Sequence, residues 1–174
     1  MTYRIGFLFL IILSTCNHKN KVANEDKQQI SQEAPIAISL LRDSVTFYYN
    51  NDEWLDAIRL YSILIIKDPI NKGEYFYKKA YCLALIDDLN KSTENYKSAV
   101  REEYEVSDAN FSIGLNYAIL KQDSLAIIFY EKALYQLDSI NNLNGLGNNT
   151  EDRQDILDNI KDSKNKLRTP VFEL

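Results

Sequence analysis

The chain has 174 residues, 45% of them apolar and 26% charged, with a formal net charge of −5. That length suits one domain, and five Gly and three Pro favour long helices over many tight turns. An acidic chain with no Lys/Arg cluster on any predicted helix face lacks the basic stripe of a nucleic-acid binder. Chemistry is equally constrained. His18 is the single histidine and precedes the helical region, so neither a Ser-His-Asp triad nor a His-rich metal site can be assembled there. No Gly-rich phosphate loop occurs. The composition describes a non-enzymatic chain that needs no cofactor and no metal.

The amino terminus reads as an address. Met1 to Arg4 carries one positive charge, Ile5 to Leu13 is an apolar run, and Leu13-Ser14-Thr15-Cys16 follows. This is the order of a secretory signal, and the run is short of the ~20 residues a membrane span needs. The placement of Cys16 resembles a bacterial lipobox, which implies cleavage after residue 15 and a diacylglycerol on Cys16. Thr15 departs from the Gly, Ala or Ser usual before that cysteine. A plain cleaved signal, or an uncleaved anchor with Cys16 incidental, is the alternative. Residues 17 to 34 are almost entirely polar and read as a flexible tether. Asn17 is not the Asp that retains some lipoproteins in the inner membrane, which points to the outer membrane, facing the periplasm. Cys82, the other cysteine, sits mid-helix and reads as a small core residue, with a reactive thiol as the minor alternative.

Helical periodicity begins near Ile38. Leu41, Val45 and Tyr48 share one face of a first helix, Ser39 to Asn50. Asp52 is the expected N-cap of a second. In that helix Trp54, Ala57, Tyr61 and Leu64 lie at i, i+3, i+7 and i+10, hence on one face, and Pro69 ends it. Leu89, Ser92, Tyr96 and Ala99 repeat this face at an offset of 35. Gly114, Tyr117, Ala126, Tyr130 and Ala133 then follow Ala80, Leu83, Ser92, Tyr96 and Ala99 at a constant offset of 34. Asp87-Asp88 makes a turn, and the helix before Tyr104, which stands in the proline slot, is expected to have a loosely fixed exit. Its polar residues, Asn90, Lys91, Thr93, Glu94, Asn95 and Lys97, are expected to form an outer face. Asn141 to Asn149 reads as a loop by its Asn and Gly content. Thr150 is expected to cap a last helix from Glu151 to about Leu167, with Ile156, Leu157, Ile160 and Leu167 as its apolar stripe.

A small residue, an aromatic and a closing proline at these spacings resemble the tetratricopeptide repeat, a helix–turn–helix unit of 34 residues. The resemblance covers Ile38 to Asn71, Gly73 to Val106 and Ser107 to Ile140. It implies an all-α, right-handed α-solenoid of three repeats with a C-terminal capping helix. The domain plan is then residues 1–15 signal, 16–36 lipidated cysteine and tether, 37–140 repeats, and 141–174 loop, cap and tail. The tail, Pro170 to Leu174, is expected to fold back on the cap or to dock a partner.

In this family a concave surface is lined by first-helix positions. By resemblance these are Ser39, Arg42, Thr46, Tyr49 and Asn50, then Glu74, Tyr77, Tyr81, Ala84 and Leu85, then Asp108, Phe111, Leu115, Ala118 and Ile119. The family's chaperone adaptors clamp a peptide carboxylate with Lys and Asn there, whereas only Arg42 is basic in this chain. The candidate partner-binding residues are Arg42, Tyr49, Tyr77, Tyr81, Phe111, Leu115 and Ile119, an aromatic and aliphatic trough suited to a peptide or amphipathic helix. The same side chains could instead pack within the repeats. The reading is an adaptor lipoprotein of the cell envelope holding a protein or peptide partner, membrane-bound through its lipid. The rivals are an accessory lipoprotein of an outer-membrane or pilus assembly machine, a surface-exposed ligand binder, and a cytoplasmic adaptor with a false signal.

Overall fold

A computed structural model describes residues 36–144 and 151–168. The signal, Cys16, the tether, Thr150 and the tail lie outside the described residues. The chain divides into two compact units, Met1–Arg42 and Asp43–Leu174. Among the described residues there is no strand. Residues 36–50 are helical (α1), followed by α2 (Trp54–Lys67), α3 (Lys72–Leu85), α4 (Leu89–Arg101), α5 (Val106–Ile119), α6 (Asp123–Asn144) and α7 (Glu151–Arg168). From α2 onward each helix packs chiefly on its neighbours in sequence, the signature of a helical solenoid.

The repeated positions form the core. Ala57, Leu64, Ala80, Ala99, Ala126, Tyr130 and Ala133 are fully buried, and Tyr61 and Tyr96 nearly so. The small residues let helices approach, and the tyrosines fill the space beside them. In repeat three the approach is extreme. A Cβ on Gly114 would lie 2.5 Å from Cδ1 and Cε1 of Tyr130, so only glycine fits.

Four of the turns between helices share one device. Asp52, Asp87, Glu103 and Lys121 all take left-handed φ, at 60°, 62°, 57° and 57°. After each, the next N–H reaches five residues back: Glu53 to Tyr48, Asp88 to Leu83, Tyr104 to Ala99 and Gln122 to Tyr117, at 2.8–3.0 Å. These are Schellman closures, which usually employ glycine. Two expectations are corrected by them. Asp52 is the left-handed residue and not the N-cap of α2; Glu53 holds that position without a side-chain cap. The exit of α4 is fixed by the Glu103 closure even without proline. Because a non-glycine residue is strained at such φ, Lys121→Gly should stabilise the fold by about 0.5–1 kcal/mol. Chemical denaturation monitored by helical circular dichroism checks this, and a loss of stability would contradict it.

Other boundaries follow from polar chemistry. Pro69 opens a 3₁₀ turn, Pro69–Asn71, that stops α2. Asp68, buried before it, accepts hydrogen bonds from the Tyr75 hydroxyl and from Asn71 Nδ2. Asp88 accepts from the Lys91 N–H and caps α4. Thr93 was expected on the outer face, yet it is buried, because Asn116 Nδ2 donates to its hydroxyl at 3.2 Å and to Ser92 Oγ at 2.9 Å. Helix α6 continues through the expected loop start to Asn144, with Asn141 buried. Asp138, 34 residues after Tyr104 and so in the same slot as Pro69, sits within α6 and pairs with Arg153 Nε at 2.9 Å. On α7, Ile156, Ile160 and Ser163 are buried, while Leu167 is 54% exposed and falls off the packed stripe.

Candidate partner-binding surface

Of the predicted groove residues, Arg42 belongs to the first unit and the other six to the second. Tyr49 is half-buried. Its ring meets Trp54 edge-on at 5.6 Å and lies 6.1 Å from Tyr81. Trp54 meets Tyr81 edge-on at 6.5 Å, so these three rings form one cluster joining α1, α2 and α3. Tyr81 is its open member, 40% exposed.

The remaining residues divide by role. Tyr77 is half-buried, edge-on to Tyr96 at 5.3 Å and to Tyr104 at 5.8 Å. Phe111 lies 5.6 Å from Tyr130, and Leu115 packs on the same cluster with Ala126, Ala133, Ile156 and Ile160. Tyr77, Phe111 and Leu115 are therefore largely committed to packing within the repeats. Ile119 is 63% exposed, and Leu85, its equivalent one repeat earlier, is 46% exposed. Tyr81, Leu85 and Ile119 leave apolar surface on the first helices of repeats two and three. Such apolar area costs about 25 cal/mol per Å² to keep wet and rewards any partner that covers it.

Electrostatics around this surface are mild. Glu74 pairs with Lys78 at 2.7 Å. The Cys82 thiol, fully buried, is pushed up to about 12 by that burial, so it stays protonated and unreactive in the fold. Burial, then Asp108 and Glu105, pushes the Tyr77 phenol to about 12 from its ordinary 10.0. Burial, then Asp123 and Asp162, does the same for Tyr130. Between pH 10 and 12 the unfolded chain therefore releases protons that the folded chain retains. Stability is complete below the ordinary tyrosine pKa and is lost as pH rises through the shifted values. Phenolate absorbance and helical dichroism should change together in an alkaline titration. Ionisation of all tyrosines near pH 10 with the helices intact would contradict this.

Among the described residues no cluster of three or more His, Cys, Asp or Glu could hold a metal ion, and no helix is long and apolar enough to cross a membrane. One feature escaped sequence reading. A groove of about 730 Å³ lies between α4 and α6, floored by α5. It joins second helices of successive repeats, a relation visible in the sequence only once their spacing and tilt are known.

No protein-family model matches the chain, and no curated protein does. Solved structures do. The TPR2B domain of yeast Sti1, determined as a pHsp70 complex, aligns with a TM-score of 0.62 at 14% identity, over 74% of this chain and 97% of that one. The fold is that of a tetratricopeptide-repeat protein. The first such domain of Spaghetti (RPAP3), bound to the HSP90 peptide SRMEEVD, aligns with a TM-score of 0.59 at 16% identity, over 76% of this chain and 94% of that one. MamA aligns with a TM-score of 0.51 at 20% identity, over 75% of this chain and 78% of that one. The expected all-α solenoid of tetratricopeptide repeats, closed by a C-terminal helix, is thus the fold of this chain.

Proposed function

We propose that this protein is a non-enzymatic adaptor that holds a protein or peptide partner on the first-helix face of its tetratricopeptide repeats. The observation that carries the reading is the apolar surface of Tyr81, Leu85 and Ile119, exposed together on the first helices of repeats two and three. Two structures of the same fold, from Sti1 and Spaghetti, are complexes with an Hsp70 and an HSP90 ligand, and this supports a ligand on the repeats here. The exposed side chains favour an apolar or amphipathic segment. Tyrosine gives it contact area at low entropic cost.

The setting we propose is the bacterial envelope. Residues 1–16 supply a signal and an acylated Cys16, and the polar stretch 17–34 supplies the tether. Two or more acyl chains would make the anchoring firm, each buried CH₂ adding about 0.8 kcal/mol. Incorporation of a fatty-acid label that Cys16→Ala abolishes is the expected result for the anchor, and labelling that survives the substitution would overturn it.

The adaptor reading is tested by affinity capture from solubilised envelopes. Wild-type protein should recover a defined partner, and Tyr81→Glu combined with Ile119→Glu should recover at least tenfold less. Both positions are exposed, so the double variant should keep its helix content and unfolding midpoint. Equal recovery by both proteins would sink the reading.

A further inference from the structure

The groove between α4 and α6 has an apolar floor and basic walls. Val100, Ile113 and Phe129 line it, with Ile113 fully buried beneath. Arg101 and Lys132 line it from α4 and α6, and neither has a carboxylate partner among the described residues. Arg101 Nη2 donates to Ser98 Oγ at 2.8 Å, and Lys132 Nζ lies 4.4 Å from the Phe129 ring centre. Glu131, the one acid among the lining residues, holds Lys164 at 3.4 Å, and the lining Lys97 is held by Glu94 at 2.8 Å. In a chain of net charge −5, two uncompensated cations flanking one apolar trough are a local reversal of sign.

The wall formed by α6 shows what shape would fit. Ile128 and Tyr135 line it and are 46% and 72% exposed. With Lys132 between them they are spaced four and three residues apart, the seam that one helix offers to another. From Ile128 to Gln136 the groove wall runs for about 12 Å, a little over two helical turns.

We infer that this groove docks an amphipathic α-helix of a partner protein, apolar on its seam and acidic on its flanks. The seam side chains cover Ile128 and Tyr135 and enter over Phe129, while Glu or Asp on either flank meets Arg101 and Lys132. Charge of that sign steers encounter and rejects basic helices. The surface lies on second helices, so it is distinct from the first-helix face of the proposed adaptor site and does not rest on that reading.

The test is a display library of about 18-residue helical peptides with Leu, Ile or Phe fixed on the seam and flanks randomised between Glu and Lys. Selection on the protein should enrich Glu-flanked clones. Tyr135→Glu should abolish their binding, and Arg101→Glu with Lys132→Glu should weaken it at least tenfold and shift preference to Lys flanks. Tyr81→Glu with Ile119→Glu should leave it unchanged. All these side chains are exposed or at the groove wall, and circular dichroism confirms that each variant is folded. Absence of enriched clones, Lys-flanked winners, or binding indifferent to Tyr135→Glu would overturn the inference. So would binding that emerges only when residues beyond Arg168 are removed, or only when the protein is diluted to a monomer. Those outcomes make the occupant this chain's own segment or a second copy.

Discussion

Replacing Tyr130 with alanine should destabilise the protein by about 4 kcal/mol, the loss typical of emptying a large aromatic site in a core. Tyr130 is fully buried and stands at the meeting point of three helices. From α6 it touches Phe111 of α5, and it shares one cluster with Ile156 and Ile160 of α7. Removing the ring leaves a cavity that rigid helix neighbours can close only in part, and it loosens the capping helix together with repeat three. The hydroxyl contributes in the opposite direction. It has no hydrogen-bond partner among the described residues, so it is buried at a cost. Tyr130→Phe should therefore be neutral or stabilising by up to about 1 kcal/mol. Urea unfolding followed by dichroism measures both. A loss below about 1 kcal/mol for the alanine variant would show that the ring is not a core element.

Gly114→Ala should cost about 2 kcal/mol, against the gain of up to about 1 kcal/mol that the same change gives at an exposed helical site. The sign decides the matter. The added methyl would sit 2.5 Å from two carbons of the Tyr130 ring, and a ring buried on all sides cannot move aside without displacing Phe111 or α7. The two positions should also be coupled. In a Tyr130→Leu background, where the narrower side chain vacates that space, Gly114→Ala should cost distinctly less. Additive losses would mean that the clash is relieved by some other shift.

Much of this packing could be read from the sequence because one steric rule repeats. A small residue on a first helix faces an aromatic on the second, as Ala80 with Tyr96 and Gly114 with Tyr130, so an offset of 34 carries geometry as well as class. Polar residues were less legible. Thr93 looks solvated on a helical wheel, but Asn116 arrives from the next repeat and satisfies its hydroxyl in the interior. Asn141 suggested a loop, yet it is buried within a continuing helix. Leu167 continued an apolar stripe, but the last turn of α7, residues 164–168, is exposed throughout. The candidate surface was legible only in outline. Family positions identified the face, while ring contacts decided that Tyr77 and Phe111 serve the repeats and that Tyr81 and Ile119 remain open. Turn geometry was hidden because the left-handed position of each of the four closures carries Asp, Glu or Lys and no glycine.

The proposed adaptor depends on a partner held by the first-helix face. Its most direct test is photo-crosslinking in living cells from a reactive amino acid placed at Tyr81 or Ile119, with Arg59, exposed on α2, as the control. The expected result is one discrete partner protein, captured from both positions and absent from the control. Capture of only this chain's own segments from Tyr81 and Ile119, or the same products from Arg59, would contradict it and return that apolar surface to internal packing.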